Sequence, residues 1–367
     1  MRLVACALVI AACGDPPMVT GDAATQVDGT VADAAPPAHV VAYVSGYSPK
    51  IAWFDFDLTT GGLTPVGSLN ATQPSFLALG PTHAYAVSES GNRVAAYAVD
   101  PASGALTFQN DQPTGNGPAH VSVDREGKFV LVANYGGNSA AVYPIRGDGS
   151  LGAAIQTVPA GTNAHMFITD PTNQWAFVPC KGSDYVAQYA FGADGMVTAN
   201  AAAHLMTAAG AGPRHLAFAP SSHHAYLIDE NASTLMALAY DPAQGVLSPI
   251  QTTTTRAATA TGANTGAEVV VHPSEKFVYG SNRGDDDIAG FAIGSDGTVT
   301  LTGGTPSGGA TPRSFAIDPT GRWLLAANQG GNNVTAFRID AATGALTATG
   351  SPTAATSPAF VGFVALP

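Results

Sequence analysis

A unit of about 35 residues recurs along this chain, and that recurrence constrains its fold more than any other feature. The clearest copy occupies residues 312–346, PRSFAIDPTGRWLLAANQGGNNVTAFRIDAATGAL. An apolar run at 314–317 enters a DPTG turn, and a second run at 323–327 leads to Asn328 and a Gly-rich hairpin. A third run at 334–339 ends in Asp340, and a tight turn around Thr343 and Gly344 releases a short fourth run from Ala345. Period-two alternation, β-branched and aromatic enrichment, and turn residues at fixed offsets predict an antiparallel four-stranded meander.

The pattern starts again at Pro74, Pro118, Ala164, Pro213 and Ala267, and incompletely at residues 40–63. Intervals of roughly 44 to 54 residues are those of propeller blades. The first copy lacks its leading strand, and a matching segment, SPAFVGFVAL at 357–366, stands at the far end of the chain. A terminal strand that completes the first blade closes a circular array without an exposed edge. The expected fold is all-β: a seven-bladed β-propeller of four-stranded antiparallel blades over residues 39–367. Composition agrees, since 42 glycines, 26 prolines and only 11% charged residues suit a β-repeat protein better than a helical one. Composition alone would also fit a β-sandwich; seven in-register copies would not.

Residues 1–13, MRLVACALVIAAC, place one Arg before an apolar run and a pair of alanines before Cys13. The run is too short to span a bilayer and has the parts of a bacterial secretory signal. Ile10-Ala11-Ala12-Cys13 resembles a lipobox, so lipidation is expected at Cys13; an ordinary signal cut nearby is the alternative. Gly14, rather than an aspartate, follows the cysteine and fits the outer-membrane default. Residues 14–38, rich in Ala, Asp, Pro and Thr, read as a flexible tether. The expected address is therefore exported and lipid-anchored at the outer membrane, and the domain is expected to be a monomer. Cys180 would remain as the one free thiol, which excludes a disulfide framework and a Cys-based metal site. A formal charge of −12 argues against nucleic acid and anionic membrane surfaces as partners, while leaving room for a basic pocket within an acidic shell.

The meander fixes where function should be sought. First strands line the channel and descend from one face, and second strands climb back to that face at the Asn-x-Gly hairpin. Strand starts and second-strand ends therefore surround one channel mouth. The first set holds His120, His165, Arg214, His215, Glu268 and Arg313; the second holds Glu89, Asn134, residues 181–184, residues 229–231, Asn282, Arg283 and Asn328. Turn chemistry accounts for Asn134, Asp184, Glu89 and Asn328. It gives no reason for His165, Arg214, Glu230 or Arg283. Cys180 reads as a buried structural thiol, and His223-His224 as a solvated hairpin on the opposite face. The low-complexity connection at 251–266 is either a solvated loop or a lid leading into Glu268.

The segments VANYGGNS, GPRHLAF followed by DEN, AEVVVHPSEKFVYGSNRG and PRSFAIDPTGRWLLAANQ resemble the bacterial lactonase family of seven-bladed propellers. That family includes the propeller-type 6-phosphogluconolactonase and is similar to the fungal carboxy-muconate lactonizing enzymes. The resemblance implies hydrolysis of a small anionic, sugar-acid lactone without cofactor or metal. It also implies that His165, Arg214, Glu230 and Arg283 are the catalytic set; His120, His215, Glu268, Asn282, Arg313 and Asn328, which share the channel mouth, are expected around the substrate. Lactone opening needs an activated water and a stabilised oxyanion. Arginines suit a carboxylate or phosphate, and two of them beside Glu230 would lower its basicity, which favours His165 as base. Blade four departs from the relatives' Asp-Leu-Gly-x-Asp pattern, with Cys180-Lys181-Gly182-Ser183-Asp184 in its place. The competing expectation is a non-catalytic, surface-anchored propeller that binds a ligand or protein.

Overall fold

A computed structural model describes residues 39–366. The Cys13 lipidation site and the 14–38 tether lie outside the described residues. Within them, 28 strands form seven four-stranded antiparallel sheets. Strand order follows the chain in blades two to seven. In blade one, the C-terminal strand Pro358–Leu366 is innermost and pairs with His39–Gly46, from His39↔Leu366 to Gly46↔Pro358. The first and last described strands thus share one sheet, and the ring closes as the repeat pattern requires.

The template copy forms strands Pro312–Ile317, Trp323–Asn328, Asn333–Ile339 and Leu346–Ala354. Its outer strand is nine residues long, longer than the sequence suggests. Most of that strand faces solvent, so it carries no hydrophobic alternation to announce it.

The core is divided among the junctions between blades. In blade three, Val130 and Val132 pack into the junction with blade two, while Leu131 and Ala133 pack into that with blade four. Strands buried on both faces read as near-continuous apolar runs, and VLVA is one. A second device ties several blades to the next. Tyr279 donates its hydroxyl to the Gly344 carbonyl at 2.8 Å, and Trp175 donates its indole N–H to the Pro242 carbonyl at 2.9 Å. The glycines of these outer turns must be bare. Gly245 has φ +63, and a Cβ there would stand 2.0 Å from the Trp175 ring.

One irregularity of the inner strands places the site. Pairing shifts register just after the first residue of each inner strand in blades two, three, five and seven, at Pro74/Phe76, Pro118/His120, Pro213/His215 and Pro312/Ser314. Blade six carries the same one-residue excess between Gly266 and Val269. Such a bulge leaves a residue unpaired and re-aims its side chain. In blade four the inner strand shrinks to Ile168–Thr169, preceded by an isolated Ala164↔Cys180 bridge. The next residue, His165, donates its N–H to the Pro179 carbonyl at 2.9 Å. His165 therefore matches Arg214 and Arg313 in position.

Candidate active site at the channel mouth

Second strands end on a residue that is spent on its own hairpin. Asn134 donates to Ser139, Asn282 to Asp287 and Asn328 to Asn333, while Asp229 accepts from Thr234; each pair is five residues apart. All four are buried. Asn282 and Asn328, expected beside the substrate, are instead spent as hairpin caps. Asn282 is also tied to Thr255 and Asn264, and Asn328 to Ser307 and Thr335. Asp184 likewise serves turn geometry, with φ +53 and its carboxylate accepting the Gly210 and Gly212 N–H groups.

The residue after that cap is the variable one. Its N–H returns to the loop preceding the inner strand: Tyr135 to Gly117, Lys181 to Asn163, Glu230 to Gly212, Arg283 to Thr265 and Gln329 to Thr311. Tyr47 makes the same bond to Ser357 in blade one, and Glu89 stands at this place in blade two. One side chain per blade is thus delivered to the rim.

Blades four, five and six deliver charge. Glu230 accepts from Lys181 Nζ at 2.6 Å, and the same oxygen lies 3.2 Å from Arg283 Nη2. Its other oxygen is 3.2 Å from Arg214 Nε, an ionic contact without hydrogen-bond geometry. Burial alone would raise the Glu230 carboxyl, but Arg214, Arg283 and Lys181 overcome it and hold the pKa down at about 2. Arg214 is only 3% exposed. Burial, with repulsion from Arg313 and Arg283, lowers it to about 9 despite the attraction of Glu230 and Glu268. Its Nη1 is anchored on the Ala267 carbonyl at 2.5 Å, and Arg283 Nη2 on the Gly266 carbonyl at 2.9 Å. The Nε of both arginines has no hydrogen-bond partner among the described residues.

His165 flanks this cluster. Its ring meets Tyr135 edge-on at 5.6 Å and His215 at 5.1 Å, and its buried Nδ1 has no partner among the described residues. Burial, then Arg214, His215 and Arg313, push its pKa well below the ordinary value, so it is a neutral imidazole. On the other side, Arg313 stacks over the Tyr47 ring at 5.4 Å, and Tyr47 donates its hydroxyl to Glu89 at 2.8 Å.

The expected mouth residues separate into two tiers. His120, His215 and Glu268 occupy the position one residue beyond the bulge and form a floor with Phe76 and Phe360. Glu268 Oε1 is 2.7 Å from His215 Nδ1, and burial pushes the Glu268 carboxyl up to about 7. These residues follow the bulge position of Arg214 and Arg313 by one and are buried, as Arg214 is. The 251–266 connection is pinned: Arg256 pairs with Asp285 through two hydrogen bonds, and Asn264 reaches Ser233. Cys180 is fully buried, with burial raising its thiol to about 12. His223 precedes the second strand of blade five and so lies at the opposite end of the channel. Sequence reasoning did not assign site roles to Tyr47, Tyr135 or Lys181. Alignment of the repeats one residue past the cap, beside Glu230 and Arg283, is the signal that finds them. Among the described residues, no three His, Cys, Asp or Glu side chains converge to hold a metal ion.

A rim that gathers three cations around one carboxylate, beside a neutral buried imidazole, can be compared with known proteins. Residues 38–363 match the family "Lactonase, 7-bladed beta-propeller". The chain belongs to that family. It is 33% identical over 270 residues to a 6-phosphogluconolactonase of Bacillus subtilis, covering 70% of this chain and 77% of the relative. A 6-phosphogluconolactonase of Pectobacterium carotovorum is also 33% identical, over 63% of this chain and 69% of its own length. Among solved structures, the periplasmic gluconolactonase PpgL of Pseudomonas aeruginosa superposes with a TM-score of 0.84 at 28% identity, covering 90% of this chain and 100% of that one. A putative 6-phosphogluconolactonase from Bacteroides fragilis gives 0.83 at 29% identity, covering 89% and 98%. This lactonase-family propeller thus shares its ring of blades with the two solved structures over 90% and 89% of its length.

Proposed function

We propose that this lactonase-family propeller hydrolyses a small anionic sugar-acid lactone at the channel mouth, using side chains alone. The observation that carries the reading is the Lys181, Arg214 and Arg283 cluster on Glu230, with both arginine Nε groups unpartnered and His165 beside it. His165 takes a proton from the attacking water. Arg214 and Arg283 offer donors to the oxyanion and to the anionic substituent. Collapse of the tetrahedral species breaks the ring C–O bond, and the leaving oxygen recovers the proton from His165. Glu230, ionised down to about pH 2, orients the cations rather than moving a proton. A bound anion offsets the arginine field that depresses His165 and so raises its basicity when substrate is present. Arg313 and Tyr47 form the far wall.

The test is ring opening of D-glucono-δ-lactone and its 6-phosphate above the spontaneous rate. Wild-type turnover with loss in His165→Gln and Arg214→Met supports the assignment; turnover that survives both substitutions sinks it. We also propose that the chain is exported and lipid-anchored through Cys13, at the outer membrane by the rule for Gly14. The residues of 1–13 and the periplasmic address of the Pseudomonas gluconolactonase support this reading. Mass spectrometry of the mature N-terminus tests it, and an unmodified terminus elsewhere overturns the anchor.

A further inference from the structure

Three consecutive residues of blade six each hold a different part of the site. The Gly266 carbonyl accepts from Arg283, and the Gly266 N–H donates to the Glu230 carbonyl at 2.9 Å. The Ala267 carbonyl accepts from Arg214. The Glu268 carboxylate meets His215, with the same oxygen accepting the Val269 N–H at 3.1 Å, and the Glu268 N–H donates to Ser281 Oγ at 3.0 Å. The bulge makes this possible. Pairing steps from Gly266↔Asn282 to Val269↔Gly280, so Ala267 and Glu268 stand opposite Ser281 alone, the same one-residue excess as in blade five. There is no room for a side chain at the first position: a Cβ on Gly266 would stand 2.8 Å from the Asp229 carbonyl oxygen.

We propose that Gly266, Ala267 and Glu268 are a positioning platform, which aims the two arginines through main-chain carbonyls and sets the tautomer of His215 through the carboxylate. The proposal rests on the lactone-hydrolysing reading of the site above. Main-chain carbonyls are fixed acceptors, so the guanidinium planes inherit the geometry of the strand. A carboxylate on Nδ1 makes that nitrogen the donor and leaves Nε2 as the acceptor. His215 Nε2 is buried and without a partner among the described residues, and its ring packs edge-on against His165 and His120. Glu268 thereby acts on His165 through His215, and on Arg214 as a second counter-charge from below. The groups facing this pair are His120 from blade three, His165 from blade four, Arg214 and Glu230 from blade five, Arg283 from blade six, and Arg313 and Ser314 from blade seven.

The experiment compares wild type, Glu268→Gln and Gly266→Ala in the opening of D-glucono-δ-lactone and its 6-phosphate across pH. Glutamine keeps the shape and removes the charge. Expected is a kcat lower by roughly 10- to 100-fold with KM nearly unchanged, the scale of a small misplacement of reacting groups. Wild-type kcat should rise through the region of pH 7, where Glu268 ionises, and Glu268→Gln should lack that limb. Unchanged kcat, or an identical limb in the variant, overturns the platform. Nitrogen-15 NMR of the imidazoles gives a readout independent of turnover: a hydrogen-bonded His215 Nδ1 proton in wild type that shifts in Glu268→Gln. Its absence from wild type overturns the proposal. Should wild type open neither lactone, the hydrolytic reading fails and the NMR result alone decides the platform. Should Gly266→Ala not fold, Glu268→Gln carries the test.

Discussion

Blade five and blade seven are the same meander put to different ends. Their inner strands, Pro213–Phe218 and Pro312–Ile317, carry the same bulge, and their second strands end in the same buried cap, Asp229 and Asn328. The two blades differ mainly at the positions that face the channel. Blade five has Arg214, His215 and Glu230, where blade seven has Arg313, Ser314 and Gln329. Arg313 is part-exposed and stacks on Tyr47, whereas Arg214 is buried between two carboxylates and lowered to about 9. Buried charge is costly unless it is fully compensated. Blade five concentrates that cost in a ring whose other members are satisfied locally. The scaffold is common property of the repeats, and the chemistry sits in three positions per blade.

Substitutions at matched positions test this division. The largest effect is expected from Arg214→Met. Glu230 keeps Lys181 and Arg283, so the fold should survive while kcat/KM for a lactone falls roughly 100- to 1,000-fold, the scale for losing a preorganised charge donor. Steady-state kinetics beside a thermal melt would separate the two. A scaffold position should behave in the opposite way. Gly245→Ala places a Cβ against Trp175 at positive φ and should destabilise by about 1–3 kcal/mol, read as a lower urea midpoint with kcat intact.

Acid separates the blades as well. Glu230 has its folded pKa depressed to about 2 from 4.5, so its ionisation contributes stability that is present above pH 4.5 and is lost as pH falls toward 2. Melting temperatures of wild type should fall through that window, and Glu230→Gln should lose this part of the dependence. A wild-type profile matched by the variant would show that the cation cluster does not act on Glu230 as described. The smallest effects belong to blade seven. Asn328→Ala should cost about 1–3 kcal/mol by leaving its hairpin groups unpaired without altering KM. Gln329→Ala, at the Glu230 position, should leave stability and turnover within a factor of about two, since Gln329 is part-exposed and carries no charge, and surface substitutions away from such features stay near ±0.5 kcal/mol. A larger loss from Gln329→Ala would place the site across more of the ring than blades four to six.

Repeated spacing made the ring legible from the chain. Turn residues such as Gly344 and Asp318 recur because each blade needs them locally, and the unmatched strand at 357–366 announced the closure. The same spacing brought His165, Arg214, Glu230 and Arg283 to one face. It could not separate Asn282 from Arg283, because a shift of one residue sends a side chain into the hairpin or onto the rim, and only pairing register decides which. Tyr135 was hidden for the same reason, and Lys181 was placed at the mouth without its contact to Glu230. Glu268 reads in sequence as a strand start like Arg214, yet the pairing register begins its strand at Gly266 and puts Glu268 at the position of His215.

What the sequence determined is therefore local and repetitive: the strands, their turns, the number of blades and the face on which unusual residues gather. What only the tertiary structure decided is which of those residues touch. Bulges and blade junctions set those contacts, and they arise from packing between segments about fifty residues apart, where period and composition carry no information about ångström-scale register.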